Sequence, residues 1–435
     1  MAVNSTSSTA HCHDTARHIN EKLGRPVPTS AGVLHVLSVD ITSYHFPLRA
    51  STRGSSYLSF KLTIPVAARD SLFMWLLHTE TYTLHYFSSP EAAPPYAILS
   101  HCWDHNEITF ADMRRPELIE LKRGWRKIRG ACEVAQQQHG LDWLWDDTCC
   151  IDKSNSVELS EAINSMFDLY RSAQLCLAYL GDVPGGEEAA AEGSFFRRSR
   201  WFRRGWTLQE LIASDASIVF LSSDWVQIGT TEEEGLAKVV EEITGIDYQL
   251  LMTPLEEYRI VEVRARSIAE RMSWAAGRET TRPEDRAYSL MGIFDVNMPI
   301  IYGEGGEKAF HRLQLEIIRR SSDLSIFAWG RRIGSPMSLD DVEAKGFEIV
   351  SSSTRHGLLA GSPDHFQAAK DIVTIASVAH LTNSLGIPPV RKPHFYETNH
   401  GIRIQLPVRP FLLDDSGILF ESAIPWEIAS IYIEL

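Results

Sequence analysis

Thirteen residues, Ser199 to Leu211 (SRWFRRGWTLQEL), bring together two tryptophans, three arginines and one glutamate. As an ionised carboxylate, Glu210 could stabilise a cation that develops during a reaction. Arg203 and Arg204 carry the planar fork that binds phosphate in pairs of hydrogen bonds. Trp201 and Trp206 offer ring faces for stacking. A plainer role competes at each position. Thr207-x-x-Glu210 has the form of a capping box, in which the carboxylate returns to the backbone of a helix start. The arginines can pair with Asp146, Asp147 or the acidic loop after Gly181, and tryptophans commonly fill cores.

Two further polar groups follow short apolar runs. Ser100-His101-Cys102-Trp103-Asp104 comes after Tyr96 to Leu99 (YAIL), and Asp146-Asp147-Thr148 comes after Leu141 to Trp145 (LDWLW). Ser100, His101 and Trp103 are candidates for lining a cleft. Neighbours in sequence do not make a Ser-His or Cys-His nucleophile, which needs contact through space. Asp146 and Asp147 could bind ribose hydroxyls or a divalent ion, or satisfy backbone donors in a turn. The six cysteines form no CxxC pair, and His11-Cys12-His13 sits in a polar terminus, so no metal site is expected.

The elements that must carry these groups are read from apolar spacing. Strands are expected at Tyr96–Leu99, Leu141–Trp145, Leu175–Leu180 and Ile218–Leu221, with helices at Trp125–Gln138 and Val157–Ala173 between them. Alternating strands and helices, with strands that are continuous apolar runs, predict a parallel α/β sheet covered on both faces. Such sheets take ligands at the carboxyl ends of their strands, where Ser100 and Asp146 fall. A helix over Glu232–Ile243, capped by Thr231, opens a helical block with further helices in Leu255–Ala276, Pro283–Phe294 and Lys308–Arg320. The charged run Arg282 to Arg286 reads as an ion-pair latch between that block and the sheet, with a direct role in the site as its alternative. Gly303 to Phe310 (GEGGEKAF) lacks phosphate-loop spacing and reads as a turn into a helix. Four segments result: a weakly structured extension (1–72, with one strand-like run at Tyr57–Val66), an α/β domain (73–225), a helical extension (226–330) and a β-rich module (331–435). The last stops in strand-like sequence, as a truncated chain would.

With 435 residues, 44% of them hydrophobic, the chain can bury a sizeable core, and its net charge of −14 argues against nucleic-acid partners and anionic lipid. No stretch approaches the roughly 18 apolar residues of a membrane span. The N-terminus lacks the apolar region of a secretory signal, so a cytoplasmic protein with reduced thiols is expected.

Three blocks, PPYAILSHCWDHNEITFADM, WLWDDTCCIDKSNSVELSEAINSMFDLYRSAQLCLAYLGDV and SRWFRRGWTLQELIAS, resemble the fungal heterokaryon incompatibility (HET) domain. The segment from Arg271 to Trp329 resembles the stretch that commonly follows it. The resemblance implies a role in non-self recognition after cell fusion and in programmed cell death. It also implies a distant likeness to the TIR domain, a flavodoxin-like fold of which many members hydrolyse NAD with a glutamate in a Trp-x-x-x-Glu segment. Trp206 to Glu210 has that form, so the catalytic role carries over to Glu210. NAD would then be a substrate rather than a permanently bound cofactor. Two mechanisms stay open: NAD hydrolysis, or a non-enzymatic module that signals by self-association or under an upstream sensor protein.

Overall fold

The computed structural model describes residues 74–88, 92–214, 217–252, 258–329 and 359–372, and a set of C-terminal strands between 395 and 433. The expected strand at Tyr57–Val66 and the His11-Cys12-His13 run lie outside the described residues. The main sheet comprises β1 (Met74–His78), β2 (Leu84–Phe87), β3 (Ala97–His101), β4 (Trp143–Trp145), β5 (Leu175–Tyr179), β6 (Ile218–Leu221) and β7 (Gln227–Thr230). Their order across the sheet is β2-β1-β4-β3-β5-β6-β7.

The four central strands are parallel, as their unbroken apolar runs predict. The expectation of a wholly parallel sheet fails at both edges. The β1–β2 hairpin joins β4 antiparallel, and β7 returns antiparallel to β6. Edge strands need only one buried face, so they carry weaker apolar signals. β2 is half-buried only at its ends, Leu84 and Phe87, and β7 (QIGT) has a single apolar side chain.

Helices α1 (Gly124–His139) and α2 (Ser156–Ser172) cover this sheet. Asn155 caps α2 by accepting from the amides of Val157 and Glu158, and Gly140 ends α1 in the left-handed conformation (φ 67°). α3 (Trp206–Ala213) follows the turn at Arg200–Arg203, and α4 (Glu234–Thr244) follows β7. Thr231 does not cap α4 as the sequence suggested. It is buried, and its Oγ1 accepts from the Ile218 amide at 3.1 Å, which fastens the chain after β7 to the start of β6.

The extension adds α5 (Tyr258–Ala265), α6 (Ile268–Ser273), a helical turn at Asp285–Tyr288 and α7 (Gly306–Arg320). The Gly303-rich stretch is the expected turn into α7. The Gln314 amide exchanges hydrogen bonds with the Ala360 backbone at 2.8 and 2.9 Å, tying α7 to residues 359–372. The C-terminal strands pair antiparallel. β8 (Phe395–Thr398), β9 (Gly401–Val408) and β12 (Glu427–Ile433) form one sheet, and β10 (Phe411–Leu413) and β11 (Leu419–Glu421) form a second. No helix among the described residues is long and apolar enough to cross a membrane.

The extension is docked tightly on the α/β part. A Cβ on Gly292 would collide with Cβ of Phe167 in α2. Gly292→Ala should therefore destabilise the protein by about 1–3 kcal/mol, read as a lower urea midpoint with an unchanged slope. An unchanged midpoint would mean that this contact does not hold the extension in place.

Candidate functional site

Glu210 projects from α3 toward the carboxyl end of β3. Its Oε2 accepts from the Ser100 hydroxyl, and the same hydroxyl accepts from the Trp201 indole N–H at 2.8 Å. Ser100 and Trp201 are almost fully buried, and Glu210 is 6% exposed. Burial pushes the Glu210 carboxyl up to about 7, with the Asp147 charge adding to it, against the Ser100 hydrogen bond and the Arg204 charge.

The capping box does not form. Gly205 occupies the cap position without a side-chain bond, and Thr207 Oγ1 donates to the carbonyls of Trp201 and Arg204 instead. Thr207 therefore locks the turn to α3 and leaves Glu210 free to face inward. Arg278, buried in the extension, donates to the Arg204 carbonyl at 3.1 Å and to Thr207 Oγ1 at 3.3 Å. Burial brings its guanidinium down to about 10, and the Glu210 charge works the other way.

Beside this pair lies a second constellation. His101 Nε2 sits 3.0 Å from Asp146 Oδ1 and 3.2 Å from Asp147 Oδ1. Thr148 Oγ1 donates to Asp146 Oδ2 at 2.5 Å, while both oxygens of Asp147 accept from the Trp103 indole N–H at 3.0 Å. Burial alone would keep the His101 ring neutral, but the two aspartates outweigh it and raise the ring to about 9. Lys127 opposes them, its Nζ lying 3.0 Å from His101 Nδ1. An ammonium has only donors, so the Nδ1 contact is a hydrogen bond only if that nitrogen keeps its lone pair. Lys127 also pairs with Glu107 at 2.5 Å. Charge balance, Lys127 included, would leave the ring a cation at pH 7; a proton on Nδ1 would, however, stand against the ammonium at 3.0 Å, and on that contact we assign His101 as the neutral Nε2–H tautomer, its one proton donated to Asp147. One ligand atom each from His101, Asp146 and Asp147 lies within 4.8 Å of the others, close enough to share a divalent ion. The Lys127 contact speaks against that use, because a metal on Nε2 would move the ring proton to Nδ1 and set it against the ammonium.

Glu210, Asp147 and Trp103 open on a cavity of about 210 Å³. Ile151, Leu159, Ile163 and Met166 supply its apolar wall, and the extension closes it with Thr280 to Arg282, Asp285 and Tyr302. That volume is below the roughly 300 Å³ of a typical drug-sized pocket, so it suits one ring with its sugar rather than a whole dinucleotide. Asp285 accepts from the Tyr302 hydroxyl at 3.0 Å and is also hydrogen-bonded by Trp206. A larger groove of about 660 Å³, bounded by Lys127, Tyr179 and Trp225, is separate from this cavity.

The structure thus gathers Glu210, Trp103, Asp147 and Trp206 at one cavity, with Ser100, His101 and Asp146 supporting them from behind. Arg203 is not brought there. It is exposed and lines a different surface pocket, whereas Arg204 faces the Glu210 cavity. The reason is a long-range backbone bridge: Glu279 pairs by backbone with Arg203 and Gly205, and this fixes which arginine turns inward. The expected ion-pair latch at Arg282 to Arg286 is also corrected. Glu284 accepts from the amides of Gly303 and Gly305, Asp285 takes neutral donors, and among the described residues only Arg286 of this run forms an ion pair, with Asp364. Cys102 is no nucleophile, since burial pushes its thiol up to about 11. The five described cysteines are free. Sequence reasoning missed Lys153, Arg278 and Tyr302 as site residues; the first shows only as one lysine in a loop, and the others come from the extension.

Residues 96–194 match the family model described as Heterokaryon incompatibility protein (HET). Residues 308–423 match a Domain of unknown function, DUF8212. Over 231 residues the chain is 46% identical to the Vegetative incompatibility protein HET-E-1 of Podospora anserina. That alignment covers 52% of this chain and 16% of that protein, so the chain spans about a sixth of its relative's length. No solved structure matches significantly.

Two measurements test the electrostatics. A carboxyl raised to about 7 in the folded state binds its proton more tightly there than in the unfolded chain. Between about pH 4.5 and 7 the native state then holds the extra proton, so this group lowers stability as pH rises. Glu210→Gln should be more stable than wild type at pH 8, by an amount on the order of 3 kcal/mol at most, with the gap closing toward pH 4.5. A gap that does not change with pH would contradict the raised carboxyl. Nitrogen NMR of the His101 ring at pH 7 should show the neutral Nε2–H form, and Lys127→Met should convert it to the cation. A doubly protonated wild-type ring would overturn the assigned tautomer.

Proposed function

We propose that this chain, which carries a heterokaryon incompatibility domain, acts in fungal non-self recognition and brings about cell death by hydrolysing NAD at Glu210. The printed name of the relative, a vegetative incompatibility protein, supports the biological half of the reading. For the chemical half, the supporting observation is a buried carboxyl, raised to about 7, that faces a cavity walled by aromatic and apolar side chains. A carboxylate with a purely structural role is more commonly held low by donors than raised by burial.

The fold agrees with a TIR-like, flavodoxin-like reading as far as it goes. Counted along the chain, the parallel strands β4-β3-β5-β6 lie in the order 2-1-3-4, which is the flavodoxin-like order up to its fourth strand. The order reverses between β3 and β5, and Ser100 and His101 end β3 at that reversal. Antiparallel β7 stands beyond β6.

Breaking the bond between nicotinamide and ribose needs no general acid, because the leaving pyridinium departs neutral once it takes the bonding pair. The ribose carbon left behind is cation-like, and the Glu210 carboxylate stabilises it through space. Water then adds to that carbon and loses a proton, giving ADP-ribose, nicotinamide and one proton. Ser100 orients the carboxylate by its hydrogen bond, and Trp201 holds Ser100. The cationic nicotinamide ring would favour the ionised form of Glu210 on binding. An upstream sensor or self-association would act as trigger.

Expressed as the full chain, wild type should consume NAD, with a rate that climbs as pH rises through about 7. Folded Glu210→Gln should lose at least about a hundredfold in rate and lose toxicity with it. A toxic Glu210→Gln protein, or cell death without NAD loss, would remove the enzymatic reading and leave the self-association module.

A further inference from the structure

The acids and bases around the Glu210 cavity are not matched to one another. Each carboxylate that lines it takes its hydrogen bonds from groups other than the cavity's cations: Glu210 from Ser100, Asp147 from the Trp103 indole and His101, and Asp285 from Tyr302 and Trp206. The cations that line it are Lys153, Arg204 and Arg282. Among the described residues, none of these three has a carboxylate within ion-pair distance. Arg204 Nε is buried without a hydrogen-bond partner. Instead the cations rest on ring faces. Lys153 Nζ lies 3.7 Å and the Arg204 guanidinium 5.0 Å from the centre of the Trp103 ring, and the Arg282 guanidinium lies 3.9 Å from the centre of the Tyr302 ring.

Asp147 and Asp285 feel these charges through space, but among the described residues none of the three cations touches a carboxylate, and a ring face compensates a charge far less than a contacting carboxylate or phosphate does. We propose that Lys153, Arg204 and Arg282 form a phosphate-binding subsite at the Glu210 cavity, which takes the diphosphate of a soluble nucleotide while the cavity holds a ring and its ribose. The two guanidiniums supply paired donors and the lysine a point charge. Arg204 belongs to the segment leading into α3 and Arg282 to the extension, so the ligand would bridge the two parts. The inference deepens the reading above, from which its main probe, NAD, is taken, but its charge argument needs no hydrolysis.

The test uses full-length Glu210→Gln protein, so that bound NAD is not consumed, and two matched pairs of probes. NAD is compared with nicotinamide riboside, which has the same ring and ribose and no phosphate, and ADP is compared with adenosine. The diphosphate member of at least one pair should bind at least about tenfold tighter than its partner. Adding Arg204→Gln, Arg282→Gln or Lys153→Gln should each remove most of that advantage and leave the phosphate-free partner's affinity unchanged. Thermal melts establish that each variant is folded. Equal binding within both pairs, loss of both members of a pair together, or no binding of any probe would overturn the subsite. If wild type leaves NAD intact while the charge-dependent preference persists, the hydrolytic reading fails and the subsite stands. If NAD is consumed with a KM unchanged by all three substitutions, the subsite fails and the hydrolytic reading stands.

Discussion

One hydroxyl organises the site. Ser100 ends a fully buried parallel strand, receives the Trp201 indole N–H and donates to Glu210. A carboxyl at this depth carries a large desolvation cost unless something in the interior addresses it. A serine at the last turn of β3 can do so only if α3 and the turn before it arrive at the right height. Thr207 fixes that height by bonding the Trp201 and Arg204 carbonyls, and Arg278 bonds the same carbonyl of Arg204 and the Thr207 hydroxyl from the extension. The position of Glu210 is thus set from the sheet, from its own helix and from the extension.

The neighbouring histidine shows why geometry must be read together with charge. Two carboxylates beside a buried imidazole would ordinarily leave it a cation. Lys127 on the far side of the ring changes the outcome, because two donors cannot face each other across 3.0 Å. The chain Glu107–Lys127–His101–Asp147–Trp103 is therefore an ordered sequence of donors and acceptors. It runs from the groove bounded by Tyr179 and Trp225 to the wall of the Glu210 cavity.

Much of this was legible in the residues alone. The central strands appear as apolar runs because they are covered on both faces, and α1 and α2 appear through their helical spacing. The polar groups after β3 and β4 fall where parallel sheets bind ligands. The edge strands were not legible, since one buried face leaves few apolar positions. The choice between Arg203 and Arg204 was not legible either, because it depends on a backbone bridge to Glu279 far along the chain. Thr207-x-x-Glu210 misled because the capping-box pattern specifies residue types but not which polar partner lies closer in space. Here the partners were a buried serine for the glutamate and two turn carbonyls for the threonine.

The backbone bridge at Glu279 joins two walls of the cavity. Gly205 donates to the Glu279 carbonyl at 2.7 Å, and a Cβ on it would stand 2.5 Å from the Thr280 side chain. Thr280, Thr281, Arg282 and Asp285, with Tyr302, form one wall of a cavity whose other walls are α2, α3 and the loops that follow β3 and β4. Glu210 and that whole wall fall between the two matched family regions, 96–194 and 308–423. The cavity is therefore shared between the α/β part and the extension, which meet at this backbone bridge. Substitutions between Thr280 and Asp285 would reshape that wall while leaving Ser100, Trp201 and Glu210 in place, so the fit of a ligand is separable from the setting of the carboxyl.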